Sequence, residues 1–198
     1  MSLTIAPPSV AQLLKQETIV EHREAEQLLA PRLNDIKTLS DYASVLYLFY
    51  GFYFPLEQLI ESALDAALRQ QLGSRRQSGL ILLDLASMQM PYSHIPLCTN
   101  LPAVDSSASA LGALYVLEGS TLGGQVIKRM LLQHTSAGLK EEHLHFFSSY
   151  REETGKRWQA FQQLINQYPG EQKEMAEGSR STFHFLSKWI LHSVYGKN

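Results

Sequence analysis

The sequence predicts an all-α fold, a single-domain helical bundle of about seven to eight helices. Apolar residues recur at spacings of three and four along most of the chain, which is the period of a helix with one buried face. No segment alternates apolar and polar residues as a half-buried strand does, and no internal repeat is present. At 198 residues the chain is long enough to bury one sizeable core.

Six helical segments follow from the apolar spacing and from the residues that end it. They cover about residues 10–29, 40–73, 75–90, 105–134, 140–168 and 171–194. Ser9 is a good N-cap for the first segment, and Pro31 should stop it, because proline removes a backbone donor. Pro55 should kink or divide the second segment, and Gly155 should break the fifth. These breaks raise the expected number of helices above six. The proline-rich residues 91–102 should form a loop.

The second segment is strongly aromatic. A helical stripe of aromatic side chains is more often core packing than a cofactor contact, so we expect these rings to be buried in the core. They are Tyr42, Tyr47, Phe49, Phe52 and Phe54.

The composition restricts the functional classes. A net charge of −2 argues against a general affinity for nucleic acid. Cys98 is the only cysteine, which excludes an intramolecular disulfide and a cysteine-rich metal site and fits a reducing cytoplasm. Residues 1–8 resemble a disordered leader rather than a signal peptide, and no apolar run is long enough to span a bilayer. We therefore expect a cytoplasmic protein whose single domain covers residues 1–198.

The fourth segment contains three glycines within six residues, Gly119, Gly123 and Gly124. Each glycine inside a helix costs roughly 1 kcal/mol relative to alanine, so their presence needs a reason. Gly119 and Gly123 are four residues apart and share a face, which leaves a bare strip of backbone there. Two interpretations remain open: a flat ligand lies against this strip, or the glycines permit a kink at a tight helix crossing.

His22 interrupts the apolar stripe of the first segment. Position alone favours a hydrogen-bonded structural histidine, but two neighbours favour a ligand role. Glu26 lies one turn further on and can accept a hydrogen bond from the imidazole, as carboxylates do for metal-bound histidines. Lys15 lies two turns back, roughly 10 Å along the axis. The other six histidines form no HExxH or Glu-x-x-His pair, so one imidazole facing a flat surface suits haem better than a bare metal ion.

These residues resemble the haem oxygenase family. Residues 14–26 read L-K-x-x-T-x-x-x-H-x-x-A-E, and residues 115–128 contain E-G-S-T-L-G-G-Q at the place of the family's glycine-rich distal helix. A weaker match over residues 146–151 ends in Tyr150 and Arg151. The L-E-G-S-T-L-G-G form is similar to the bacterial enzymes that make biliverdin for phytochromes.

The resemblance implies a haem-oxygenase-like helical fold and a set of site residues. It makes His22 the proximal ligand of the haem iron, with Ala25 and Glu26 on the same haem face. The other implied contacts are Gly119, Ser120, Leu122 and Gly123 on the distal side, Lys15 and Arg151 at the haem propionates, and Phe183 at the porphyrin edge.

The resemblance also implies the reaction. The family oxidises haem to biliverdin, iron and carbon monoxide, using dioxygen and electrons from a ferredoxin or a reductase. Haem is both substrate and cofactor, so the protein's tasks are to orient it and to donate protons through water.

The sequence departs from the family pattern in two places. Ser120 stands where animal members carry a distal aspartate, and its hydroxyl can hold a water but has no charge. Phe147 stands where a second propionate-binding lysine is expected, which leaves Lys15 and Arg151, with Lys128 or Arg129, to neutralise the carboxylates.

Two other functions remain open. A haem carrier or sensor without turnover would keep His22, and the uncharged Ser120 permits it. A thiaminase-type enzyme on a related helical fold would need a cysteine nucleophile and an acid in the pocket, and Cys98 in the proline-rich loop is a poor candidate.

Overall fold

The computed structural model of the chain describes residues 8–193, apart from 74, 76 and 134. This part of the chain is helical and has no strand, which confirms the all-α prediction. The α-helices are α1 (Val10–Glu17), α2 (Ile19–Asn34), α3 (Leu39–Ala63), α4 (Ala66–Leu72), α5 (Ser78–Ser87), α6 (Ser107–Gln133), α7 (His145–Ser148), α8 (Thr154–Gln167) and α9 (Gln172–His192). None of the described helices is long and apolar enough to span a membrane. The expected leader falls almost entirely on residues 1–7, outside the described residues, as do the predicted helix ends at His134 and Val194.

Helix α6 is the centre of the bundle. Every residue from 108 to 118 is buried, and α3, α7, α8 and α9 all pack against the helix. The closest of these contacts is with α9, where glycines let the two backbones touch. A Cβ atom added at Gly112 would lie 2.1 Å from the carbonyl oxygen of Met175, and one at Gly178 would lie 2.7 Å from that of Ser109. The tight crossing is therefore made by glycines that lie outside the glycine-rich motif.

The first predicted helix is two helices. Thr18 separates them with non-helical dihedral angles, and its buried hydroxyl donates to the carbonyl oxygen of Leu14 at 2.7 Å. The prediction that Pro31 stops the helix was wrong, because α2 continues to Asn34. Proline lacks the backbone N–H that would donate to the carbonyl oxygen of Gln27. Gln27 is exposed to solvent, so water can replace that donor.

Helix α3 begins one or two residues earlier than expected. Thr38 is the N-cap, and its hydroxyl accepts from the backbone N–H of Asp41, whose carboxylate accepts from the N–H of Thr38. The helix runs through Pro55 without dividing and ends before Leu64, while α4 ends at Leu72, and Gly73 follows it with a φ of 61°. The prediction of a core role holds for Tyr42, Phe49 and Phe52, which are buried.

The prediction of one long helix over residues 140–168 was also wrong. Short 3-10 turns and the four-residue α7 precede α8, which begins at Thr154. The break lies near residue 150 rather than at Gly155, because Ser149 and Arg151 have φ values of 44° and 54°. Non-glycine residues rarely adopt this conformation, and it turns the chain sharply between α7 and α8.

The α6–α9 crossing gives a stability prediction. Gly112→Ala places a Cβ against a backbone carbonyl that cannot move without shifting α9, so we expect a loss of about 2–4 kcal/mol in the free energy of unfolding. Gly79→Ala in α5 is the control, since its Cβ meets nothing within 4 Å and the change should be neutral or stabilising by up to about 1 kcal/mol. Urea unfolding of both variants measures the difference, and equal stabilities would contradict this account of the crossing.

Candidate functional site

A cavity between α2 and α6 has two adjoining compartments. The narrow compartment has a volume of about 120 Å³ and mainly apolar walls, which include Leu29, Phe49, Ile127, Phe146, Phe147 and Leu186. The wide compartment has a volume of about 730 Å³ and opens towards α1 and α8. His22, Val116, Ser120 and Phe183 line both compartments, so the two are neighbouring parts of one site.

His22 faces this cavity from α2. Its side chain is 51% exposed, and the ring centroid lies 5.2 Å from that of Phe183 on α9. The nearest charged partner is Glu26, whose carboxylate oxygen lies 3.4 Å from Nε2 one helical turn away. His22 is therefore not the buried, hydrogen-bonded core histidine that its position in the sequence also allowed. It is an accessible imidazole with a carboxylate beside it.

The three glycines of the glycine-rich motif on α6 have different surroundings. A Cβ added at Gly123 would meet nothing within 4 Å, and one at Gly119 would meet only the Trp158 ring, at 3.6 Å. Both glycines line the cavity, so the helix backbone is bare on that face. At Gly124 a Cβ would lie 3.0 Å from the carbonyl oxygen of Phe147. The two interpretations of the motif therefore apply to different glycines. Gly124 permits close packing of α7, whereas Gly119 and Gly123 line the cavity, and only the Trp158 ring lies near Gly119.

Ser120 has a partner that the sequence analysis missed. The hydroxyl of Tyr53 on α3 lies 2.9 Å from the hydroxyl of Ser120, which also donates to the carbonyl oxygen of Leu117 at 2.7 Å. Since the serine proton goes to that carbonyl, the tyrosine is the donor between the two hydroxyls. Burial raises the pKa of Tyr53 to about 12, so it keeps its proton at neutral pH. Tyr53 was hidden among aromatic residues whose spacing indicated only core packing.

The aromatic wall of the narrow compartment is fixed by a buried carboxylate. Asp84 on α5 is fully buried and accepts hydrogen bonds from the backbone N–H groups of His145 and Phe146, at 2.7 and 3.0 Å. These are the first residues of α7, so Asp84 satisfies the free donors at the start of that helix. The Nδ1 atom of His145 lies 2.9 Å from the same carboxylate, and the Tyr42 hydroxyl lies 3.4 Å away. Phe146 and Phe147 are held over the cavity by these contacts.

A second buried carboxylate holds the turn after α7. Glu118 on α6 is 1% exposed, and its two oxygens accept from the guanidinium of Arg75 at 2.6 Å and from the hydroxyl of Tyr150 at 2.8 Å. Burial raises the pKa of Glu118, and Arg75 and Tyr150 oppose that shift. The guanidinium of Arg157 also lies 4.6 Å from the centroid of the Tyr150 ring. Tyr150 is thus turned inwards and anchored.

The structure brings most of the predicted site residues together. Lys15, Gly119 and Leu122 line the wide compartment; Ala25, Glu26 and Gly123 line the narrow one; His22, Ser120 and Phe183 line both. Arg151 is not among them. It lies in a separate groove of about 650 Å³ on the other side of α7, together with Lys128, whose ammonium pairs with Glu141 at 2.5 Å.

The left-handed backbone at residues 149 and 151 explains the position of Arg151. It sends Tyr150 inwards to Glu118 and leaves the neighbouring arginine exposed. The adjacent residues Tyr150 and Arg151 therefore lie at two different sites, and the sequence alone could not indicate this.

In the described part of the chain, no group of three or more His, Cys, Asp or Glu side chains is arranged to hold a bare metal ion. The cavity does have the features that a flat macrocycle with a central metal needs. These are one accessible imidazole, an open backbone face on α6 and aromatic walls at the narrow end. The residues present fit haem.

Asp84 gives a pH prediction. Burial raises its pKa from 3.8 to about 6, although the hydrogen bonds from Phe146 and His145 oppose the shift, so the folded chain holds a proton there that the unfolded chain has lost. The stabilisation from this proton is complete below about pH 4, near the unfolded pKa, and is lost progressively as the pH rises through the folded pKa of about 6. We expect the free energy of unfolding of the wild type, relative to Asp84→Asn, to fall by on the order of 2–3 kcal/mol from pH 4 to pH 6.5.

Urea unfolding across that pH range measures the difference, and the comparison cancels carboxylates common to both chains, such as Asp41, whose pKa is lowered. The asparagine side chain is uncharged at every pH in this range, so it removes the titration of residue 84 from the comparison. A difference that stays constant with pH would contradict the assignment of a raised pKa to Asp84.

Comparisons with known proteins agree with the geometry. The family model described as Heme oxygenase matches residues 85–192, which is more than half of the chain and includes α6 but not His22. A protein named Heme oxygenase from Xanthomonas campestris pv. campestris (strain 8004) is 42% identical over 66 residues. That match spans 33% of this chain and 38% of the relative.

Solved structures show the same fold. A heme oxygenase from Neisseria meningitidis, studied with NO and CO bound, has a TM-score of 0.71 at 19% identity and covers 96% of each chain. Heme oxygenase-1 from the cyanobacterium Synechocystis sp. PCC6803, in complex with heme, has a TM-score of 0.73 at 14% identity, covering 93% of this chain and 91% of that one. The heme oxygenase from Leptospira interrogans has a TM-score of 0.71 at 18% identity, covering 92% and 98%. With the glycine-lined cavity on α6 and the match over residues 85–192, the chain belongs to the haem oxygenase family.

Proposed function

We propose that the protein is a haem oxygenase that cleaves haem to biliverdin, iron and carbon monoxide, using dioxygen and electrons from a ferredoxin or a reductase. One observation carries the proposal: the accessible imidazole of His22 lines the same cavity as the bare α6 backbone at Gly119 and Gly123. Haem, when bound there, is the substrate and supplies the iron that activates dioxygen. Family membership supports the chemistry.

His22 is the proposed proximal ligand. A neutral imidazole is required for coordination, and a carboxylate that accepts a hydrogen bond from the ring makes it a stronger donor. Glu26 is in reach of the ring to do this. Ala25 and Phe183 complete this side of the cavity. The small side chain of Ala25 leaves space beside the imidazole, and Phe183 provides an apolar surface next to it.

The distal side works by hydrogen bonding rather than by a charged acid. Tyr53 donates to Ser120 and Ser120 donates to Leu117, so the serine oxygen retains one lone pair for a water molecule in the cavity. With a pKa of about 12, Tyr53 does not release its proton near neutral pH. The pair therefore orders a water, and the water passes protons from solvent to the site.

The proposal extends to the setting of the reaction. We propose that residues 1–198 form one domain, that the protein works in the cytoplasm, and that a phytochrome uses the biliverdin. The resemblance of the L-E-G-S-T-L-G-G segment to phytochrome-associated enzymes supports the last point.

A haem carrier or sensor is the second candidate, and the absence of an ionised acid at Ser120 favours it. The residues that bind haem would be the same, and the difference would lie in turnover. A thiaminase-type enzyme has no such support, because Cys98 does not line the cavity. Burial raises the pKa of that thiol, and the thiol donates to the carbonyl oxygen of Asn100.

The experiment is a spectral one with the wild type, His22→Ala and Arg23→Ala. Each protein is mixed with haemin under air, then given ascorbate or a ferredoxin–reductase pair with catalase. For the wild type we expect a Soret band that decays into a red-absorbing pigment. His22→Ala should lose turnover, because the axial ligand is gone, while Arg23→Ala should behave as wild type, since that exposed residue is outside the cavity.

The other outcomes separate the candidates. A Soret band that persists in the reduced wild type would establish the carrier or sensor instead of the oxygenase. Normal turnover by His22→Ala would show that the proximal ligand is another residue. A wild type that forms no Soret band with haemin would overturn both candidates.

A further inference from the structure

His145 lies at the start of α7 and outside the cavity. Its side chain is 32% exposed and lines the groove on the other side of α7, and it lines neither compartment of the cavity. The Nδ1 atom of the ring lies 2.9 Å from a carboxylate oxygen of the fully buried Asp84. Because an ionised carboxylate only accepts hydrogen bonds, Nδ1 carries the hydrogen and donates it to Asp84.

The contact between His145 and Asp84 helps to hold α7 in place. This helix has four residues, so it depends on hydrogen bonds from other elements at both of its ends. Asp84 accepts from the backbone N–H groups of His145 and Phe146, and Gln125 on α6 donates to the carbonyl oxygen of Ser148 at 2.9 Å. The imidazole lowers the pKa of Asp84 and so favours its charged form. Hydrogen bonds to a charged acceptor are roughly twice as strong as those to a neutral one, so the imidazole strengthens the hold on α7.

An aromatic contact connects α7 to the distal side of the cavity. The ring of Phe146 meets the ring of Tyr53 edge to face, with the centroids 5.5 Å apart. Tyr53 has one other ring contact among the described residues, with Phe49 of its own helix at 5.7 Å. The hydroxyl of Tyr53 lies 2.9 Å from that of Ser120. A displacement of α7 therefore removes the support that another element gives to the Tyr53 ring, and with it the placement of the Tyr53 hydroxyl at Ser120.

We propose that His145 is a positioning residue for the haem site. It acts through Asp84 on the start of α7, and α7 acts through the ring of Phe146 on Tyr53. Tyr53 then places its hydroxyl at Ser120 on the distal side. The inference rests on the proposed function, because that function gives the two hydroxyls their role in ordering a water.

The groove behind α7 thereby gains an influence on the cavity. It is lined in part by His145, Ser148 and Arg151, and none of the described residues that line it also lines the cavity. A residue of this groove can therefore affect the haem site only through the elements between them, and α7 is the element that carries residues of both.

A purely structural role for His145 is the alternative. Both roles predict that the protein becomes less stable when the imidazole is removed, since a buried carboxylate then loses a donor. Only the positioning role predicts that hydrogen bonding on the distal side changes while the protein remains folded. The test therefore needs a measurement at each end of the proposed connection.

The first measurement is the hydrogen exchange of the Phe146 amide in the haem-free protein, followed by NMR. His145→Leu removes the donor, whereas His145→Asn keeps an N–H at the position of Nδ1. His94→Leu is the control, because it makes the same change at an exposed residue outside the cavity. We expect exchange roughly tenfold faster or more in His145→Leu, and rates near that of the wild type in the other two variants.

The second measurement is the C–O stretching band of the carbon monoxide complex of the reduced, haem-loaded protein, which responds to hydrogen bonding on the distal side. We expect the band of His145→Leu to move towards that of Tyr53→Phe, which lacks the distal donor, and the band of His145→Asn to stay at the wild-type position. Phe146→Leu keeps His145 and Asp84 but removes the ring against Tyr53. It should therefore move the band in the same direction, and it tests the connection even if His145→Leu does not fold.

Two results would overturn the inference. One is a wild-type band in folded His145→Leu or in folded Phe146→Leu. The other is an equal effect of leucine and asparagine at residue 145 on both measurements, since the donor would then not matter. A wild type that binds no haemin would instead contradict the proposed function, and the exchange of the Phe146 amide would still decide whether His145 holds α7.

Discussion

The structure depends on how closely other groups can approach the backbone of α6. The helix is enclosed over residues 108–118, and glycine at four positions replaces side chains that would keep its neighbours away. At Gly112 the neighbour is the backbone of α9, and at Gly124 it is the backbone of α7. At Gly119 and Gly123 the backbone faces the cavity. The absence of side chains at these glycines thus allows both the close contact with α9 and the exposed backbone in the cavity. These two roles explain why α6 tolerates residues that are unfavourable in a helix.

The walls of the cavity depend on carboxylates that are withdrawn from solvent. Asp84 holds the start of α7, Glu118 holds Tyr150 in the following turn, and Glu57 accepts from the backbone N–H groups of Gln77 and Ser78 at the start of α5. Removing a carboxylate from water is costly unless donors surround it, and each of these three has at least two. Because most of these donors belong to loops or to the first residues of helices, the carboxylates fix the backbone at the points where α5 and α7 begin.

Much of this could be predicted from the sequence. The helical period is a local property, so the all-α character and the places of α3, α5, α6 and α9 were visible in the sequence. The two motifs that contain His22 and Gly119 fall on the two helices that line the cavity. The error at Pro31 has a local cause as well. Pro31 is tolerated inside α2 because a single lost donor bond does not outweigh the packing of the rest of the helix.

Other features could not be seen because they depend on distant residues or on rare backbone conformations. Tyr53 and Ser120 are 67 positions apart, and only the packing of α3 on α6 joins their hydroxyls. Arg151 was assigned to the haem by its place in a motif, but the positive φ values on both sides of Tyr150 direct it into another groove. The amide side chains of α8, such as that of Asn166, look like the ordinary polar face of a surface helix until the position of α1 turns that face into a cavity wall.

The central claim is that the bare backbone of α6 is a ligand-binding surface, and haemin titration of Gly123→Leu tests it most directly. A side chain at residue 123 enters empty space, so the variant should fold with the stability of the wild type while the added leucine occupies the position of the macrocycle. Gly155→Leu is the control, because that glycine is also unobstructed but does not line the cavity. We expect Gly123→Leu to show the thermal unfolding transition of a folded protein. With haemin it should not develop the Soret band that Gly155→Leu still shows. Full haemin affinity in a folded Gly123→Leu would contradict the claim, since the ligand would then lie elsewhere.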